Sequence, residues 1–213
     1  MKRMTRSTYI AFLVGAIVIL HAPAASGQDG AGGAGDTWGF VSARYDTRSS
    51  ASIHTGYGWR RVFVMGAVLN NPRSGSAELL GGVGAVFRTG ADAEHWLAVA
   101  TLRSGAESFA QLYWLPTVRL GAVTTRAQMK WSVPAKGSEP QKLIVSPLSM
   151  TLQRRSLAGG LAVDMVAAKG ARPSVGTGLE LRLRLPRAAV GADALRDVTG
   201  NGARLRLFFD SLF

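Results

Sequence analysis

The stretch TGLELRLRLPR, Thr177 to Arg187, alternates with period two. Thr177, Leu179, Leu181, Leu183 and Leu185 share one face, and Gly178, Glu180, Arg182 and Arg184 share the other. Successive side chains of a β-strand point to opposite faces, so this is a strand with one apolar and one charged side. The same pattern recurs elsewhere. In RAQMKWSV, Ala127, Met129, Trp131 and Val133 oppose Arg126, Gln128, Lys130 and Ser132. In AELLGGVGAVFR, Leu79, Val83 and Phe87 oppose Glu78, Leu80, Gly82, Gly84 and Arg88. In LAGGLAVDMVA, Leu157, Leu161, Val163 and Met165 oppose Gly160, Ala162 and Asp164.

Extending this reading along the chain predicts ten strands, at about 37–46, 56–69, 77–88, 94–103, 107–118, 122–133, 142–153, 157–168, 174–186 and 203–213. The breakers between them are NNPRSGS, TGADA, RSGA, AKGSEPQK and KGARPS. AAVGADALRDVTGNG reads as one long connection with room for a short helical turn. Connections of hairpin length imply antiparallel neighbours, and no strand–helix–strand unit can be drawn. The fold is therefore all-β. Either a soluble sandwich or a transmembrane barrel accommodates such alternation.

The opening residues bear on that choice. Lys2, Arg3 and Arg6 precede an uncharged apolar run, Tyr9 to Leu20, followed by small residues at Ala25 and Gly27. This is the layout of a secretory signal peptide, with cleavage expected after Gly27 and Ala24 as the second choice. The run is shorter than the roughly 20 residues of a membrane-spanning helix. Residues 28–36, QDGAGGAGD, read as a flexible tether ahead of a barrel domain at 37–213. The chain has no cysteine, which excludes disulfides, thiolate metal sites and an acylated-cysteine anchor. Without residues 1–27, 186 residues remain, with 22 Lys and Arg against 13 acids. That surplus of nine positive charges, on an exported chain, points to anionic lipid headgroups or anionic solutes rather than nucleic acid.

Three features favour the barrel. Trp38, Tyr57, Trp59, Trp96, Trp114 and Trp131 fall near expected strand ends, where lipid meets water in a membrane barrel. Membrane strands of about 9–11 residues plus turns take roughly fifteen residues each, so 186 residues hold about twelve strands. Ten fits the even strand number of such barrels, and eight or twelve are alternatives. The third feature is GARLRLFFDSLF, Gly202 to Phe213. Phe213, Phe209, Leu207 and Leu205 fall on one face, with Ser211 the polar exception. Here the chain resembles bacterial outer-membrane β-barrel proteins as a class, whose last strand ends on Phe after alternating apolar residues. The resemblance implies that Leu205, Leu207, Phe209 and Phe213 form a signal read by the barrel-assembly machinery. One expectation conflicts with ten strands. Short periplasmic turns and long outer loops are the rule, yet the long AKGSEPQK falls on the periplasmic side.

The charged faces would line the lumen: Arg126, Lys130, Arg182, Arg184, Arg204 and Arg206, with Asp164, Glu180, Glu78 and Asp210 against them. The strand at 174–186 is expected to pair with that at 203–213, stacking their arginines side by side. Gly82, Gly84, Gly160 and Ala162 would leave room opposite. Arg is far costlier on the lipid face than in a polar lumen. No metal-ligand spacing or nucleotide loop is present, and no cofactor is implied. A serine–histidine set could be drawn from Ser49, Ser50 or Ser52 with His54 and Asp46, and His95 follows Glu94.

The sequence thus points to a small, monomeric outer-membrane barrel, either structural or a narrow passage for small, anionic solutes. An outer-membrane lipid-modifying enzyme and a soluble periplasmic ligand-binding sandwich are the alternatives.

Overall fold

In the computed structural model, residues 37–213 are described apart from 48–49, 71–76, 106, 137–140 and 201. The expected signal peptide and tether lie outside the described residues. Twelve strands form one closed ring: β1 (Thr37–Asp46), β2 (Ala51–Trp59), β3 (Val62–Asn70), β4 (Ala77–Thr89), β5 (Ala93–Ser104), β6 (Glu107–Leu120), β7 (Val123–Lys136), β8 (Lys142–Arg154), β9 (Leu157–Ala168), β10 (Ser174–Arg184), β11 (Ala188–Asp197) and β12 (Ala203–Leu212). Each strand pairs antiparallel with its sequence neighbours, and β1 closes on β12 from Phe40↔Leu212 to Asp46↔Arg206. The closed ring leaves no edge strand, so every strand finds its backbone partners within the sheet.

Twelve is one of the even alternatives to ten, and the two further strands lie in stretches that the sequence reads otherwise. The stretch read as one strand at 56–69 belongs to a hairpin, β2 and β3, turned at Arg60 and Arg61. Arg60 takes the left-handed conformation, with φ of 52°, that a two-residue hairpin turn requires. The stretch read as a long connection contains β11. Both corrections change the side on which later loops fall. Connections 60–61, 90–92, 121–122, 155–156 and 185–187 now lie at one end. Connections 47–50, 71–76, 105–106, 137–141, 169–173 and 198–202 lie at the other. The long AKGSEPQK joins the long-loop end, which removes the conflict.

The wall separates its two faces sharply. On β10, Leu179 and Leu181 are 62% and 59% exposed, while Glu180 between them is 1% exposed. Val64, Leu79, Val83, Val99, Leu112, Leu161, Leu205 and Leu207 continue the exposed apolar surface around the ring. An apolar belt this extensive is unsuited to water and suits hydrocarbon. The closed barrel also rules out the sandwich.

The interior has two halves. On β3–β6 and the first residues of β1 it is mostly apolar, with Trp38, Phe63, Leu80, Val86, Leu102 and Phe109 buried together and Gln111 on β6 a buried polar exception. On β7–β12 it is polar, with Thr124, Ser149, Thr151, Asp164, Glu180, Asp193 and Arg206 buried.

Candidate lumen and its charge network

Inward parity on β12 presents Arg204, Arg206, Phe208 and Asp210, and on β10 it presents Glu180, Arg182 and Arg184. These strands do not touch. β11 lies between them and places Asp193 opposite both Glu180 and Arg206. The expected side-by-side stack of arginines is therefore replaced by a guanidinium facing a carboxylate. Arg206 donates to Asp193 from Nε and Nη2 at 2.9 and 2.7 Å. It also donates to Asp164 at 3.2 Å through both Nη1 and Nη2, and to the Ser146 hydroxyl at 2.6 Å. The Ser146 hydroxyl in turn donates to Asp164 at 3.1 Å. Arg204 bonds Asp164 and lies 3.6 Å from Asp46. Arg182 donates to Glu180 and to Asp210, both at 3.2 Å, with its guanidinium 4.5 Å above the Phe208 ring.

Three arginines thus engage five carboxylates. Burial makes the arrangement demanding for Asp164, Glu180, Asp193 and Arg206, which have given up their hydration and need their partners. The cations Arg44, Arg126, Lys130 and Arg184 stand outside this network and form no ion pair with a described carboxylate. Arg126 pairs in register with Thr117 and Ser149, within electrostatic reach of Arg182 and Arg184 and of the Glu180 carboxylate. Its Nη1 is buried without a hydrogen-bond partner, as is the Ser149 hydroxyl. Lys130 reaches over the Tyr113 ring at 5.9 Å.

Arg44, absent from the lumen candidates above, crosses the barrel. β1 and β7 stand opposite each other in the ring of twelve. Arg44 on β1 donates through Nη1 to the Gln128 side chain on β7 and, at 3.3 Å, to the Ser146 carbonyl on β8. The signal was available, since Arg44 shares parity with Ser42 and Asp46 in FVSARYD. Above it, toward the long-loop end, a cavity of about 230 Å³ is lined by Arg44, Lys130, Arg204 and Arg206, with Asp46, Ser50, Ser52 and His54.

Toward the short-turn end the apolar half is filled by aromatic rings. Trp38, Phe40, Phe63 and Trp96 pack with centroids 5.1–6.4 Å apart. Trp38 and Trp96 therefore face inward, not toward the membrane boundary as expected. Trp38 sits opposite Gly58, where a Cβ would come within 2.1 Å of its ring. Phe63 occupies the space over Gly84, so that glycine holds an aromatic ring rather than room for the arginines. Tyr57, Trp59, Trp114 and Trp131 do face outward.

Among the described residues, neither His54 nor His95 hydrogen-bonds a carboxylate. His54 lies on β2, ahead of the strand expected from residue 56, and faces the cavity. His95 lies on the outer face, stacked between Phe87 and Trp114, accepting from the Trp114 indole and bonding Thr89. Glu94 points the other way, to Arg88 and the Trp96 indole. Among the described residues no group of His, Asp and Glu could hold a metal ion.

No family model and no curated protein matches the chain. Its fold is similar to solved porins. The KdgM porin in complex with disordered oligogalacturonate superposes with a TM-score of 0.60 at 7% identity, over 83% of this chain and 99% of that one. The NanC porin superposes with a TM-score of 0.57 at 8% identity, over 81% and 98%. At these identities the likeness is one of fold alone: an up-and-down antiparallel barrel, closed among the described residues of this chain.

Proposed function

We propose that the protein is a small outer-membrane barrel that admits small anionic solutes through a narrow lumen. The carrying observation is the placement of Arg44, Lys130, Arg126 and Arg184. These lumen cations stand outside the carboxylate network, distributed from the cavity at one end to the turns at the other. A fixed cationic lining in a confined pore attracts anions and repels cations. The long-loop end would face outward and the short-turn end the periplasm. Export would use residues 1–27, and insertion the assembly machinery acting on the strand that carries Leu205, Leu207, Phe209 and Phe213. The bilayer lipids would be the barrel's lateral partners, and the barrel would work as a monomer. Oligogalacturonate, held by the KdgM porin, is a carboxylate-bearing saccharide, which agrees with an acidic solute class.

A structural role is the second reading. It is favoured by Arg44 bridging opposite walls and by the aromatic cluster filling the short-turn end. Reversal potentials in planar bilayers under a salt gradient separate the two. A passage gives anion-selective current that weakens in Arg126→Ala and Arg184→Ala. Absence of current in the wild type and in Arg44→Ala supports the structural role.

A further inference from the structure

A second site lies on the opposite surface of the wall. Gly159 on β9 faces outward between Leu152 on β8 and Leu181 on β10, with which it is in register. With no side chain at Gly159, a notch of about 370 Å³ opens between Leu152, Leu157 and Leu181. Those three leucines are all more than half exposed. The mouth of the notch is at the short-turn end and carries Arg154, Arg155 and Ser156. Arg154 continues the outward column of Leu152, and Arg155 takes φ of 55° in the two-residue turn. The turn is tied in place: Gln153 donates to the Arg155 carbonyl at 2.9 Å, and the Arg184 amide donates to the Ser156 carbonyl at 2.7 Å. No acidic residue lines the notch.

We infer that this notch binds a glycerophospholipid with an anionic headgroup, from the leaflet that meets the short turns. The inference rests on the membrane-spanning reading. An apolar floor with two guanidiniums and a hydroxyl at its mouth matches an acyl chain below a phosphate. Guanidinium groups pair with phosphate oxygens through several N–H donors at once. A free phosphate would leave the leucine floor unused, so the lipid is the occupant that fits both parts.

The test is native mass spectrometry of the full chain released from micelles containing phosphatidylglycerol or phosphatidylcholine, with glycerol phosphate as a soluble competitor. The expected result is one phosphatidylglycerol retained in preference to phosphatidylcholine and not displaced by glycerol phosphate. Retention falls about thirtyfold in the Arg154→Ala, Arg155→Ala double variant, as expected for two basic residues near an anionic headgroup. Gly159→Leu, which fills the notch, lowers it as well. Its nearest contact is the flexible end of Leu181, 3.1 Å from the new Cβ, so the wall can accept it. The Arg60→Ala, Arg61→Ala variant, at another short turn, retains the lipid. An equal loss in that control, equal retention of phosphatidylcholine, or displacement by glycerol phosphate overturns the site. If the wild type stays folded and monomeric without detergent, the membrane reading fails, and the site with it.

Discussion

The ring of Phe213 lies over Gly39. The Gly39 amide donates to the Phe213 carbonyl at 2.5 Å, and the Phe213 amide returns the bond to the Gly39 carbonyl at 2.8 Å. This pair extends the β1–β12 seam past Phe40↔Leu212 at the short-turn end. A Cβ at Gly39 would lie 2.5 Å from the Phe213 ring. Gly39→Val therefore has to displace that ring. The expected cost is about 1–3 kcal/mol, as for overpacking at a tight contact. It is read as a lower urea midpoint in lipid vesicles, and the Gly39→Val, Phe213→Ala double variant recovers part of it.

Asp164 holds two arginines, and its side chain is 4% exposed. Asp164→Ala leaves Arg204 and Arg206 short of a carboxylate, although Asp193 still holds Arg206. A loss of about 3 kcal/mol is expected, the lower end of the cost of breaking a buried pair. Asp210, 34% exposed and bonded to Arg182 and Ser42, is better screened. Asp210→Ala should cost about 1 kcal/mol or less. Equal losses in the two variants contradict the network's burial order.

The two faces of β10 give opposite results to a charge. Leu179→Arg places a guanidinium on the outer face, where the expected cost is about 2–4 kcal/mol near the bilayer middle. Thr177→Arg, on the same face but closer to the long-loop end of β10, should cost less. Folding titrations into vesicles measure both, and a depth-independent cost contradicts the placement of the belt.

Trp38 is the central ring of the aromatic cluster, in contact with Phe40, Phe63 and Trp96. Trp38→Ala removes it from over Gly58 and empties space at the short-turn end. About 3–5 kcal/mol of stability is expected to go with it. Single-channel conductance rises if the cluster narrows the passage, and stays unchanged if the path runs elsewhere.

Where alternation was strong, the sequence disclosed both strand and face. Leu179, Leu181, Leu183 and Leu205, Leu207 are large, and their inward neighbours are charged, so the two sides could not be confused. β11 is hard to read because its outward residues ahead of Arg196 are Ala188, Val190, Ala192 and Ala194, too small to stand out from a loop. With it went Asp193, the counter-charge that Arg206 requires. The β2–β3 hairpin is hidden in the sequence because its turn is made by Arg60 and Arg61, where Gly or Asn would ordinarily mark one. The inward tryptophans, Trp38 and Trp96, escape the sequence for a different reason. Proximity to a strand end does not reveal a face, whereas their parity with Phe40 and Ala98 does. Arg44 could be placed inside by parity, but its reach to Gln128 depends on how many strands separate β1 from β7.

The most direct test of the membrane-spanning closed barrel is the mobility of the full chain in SDS gels, unheated against boiled, on membranes from cells expressing it. The account predicts a band in the outer-membrane fraction that shifts on heating, because a closed barrel resists SDS until heat opens it. A single band of unchanged mobility in the soluble periplasmic fraction would contradict it.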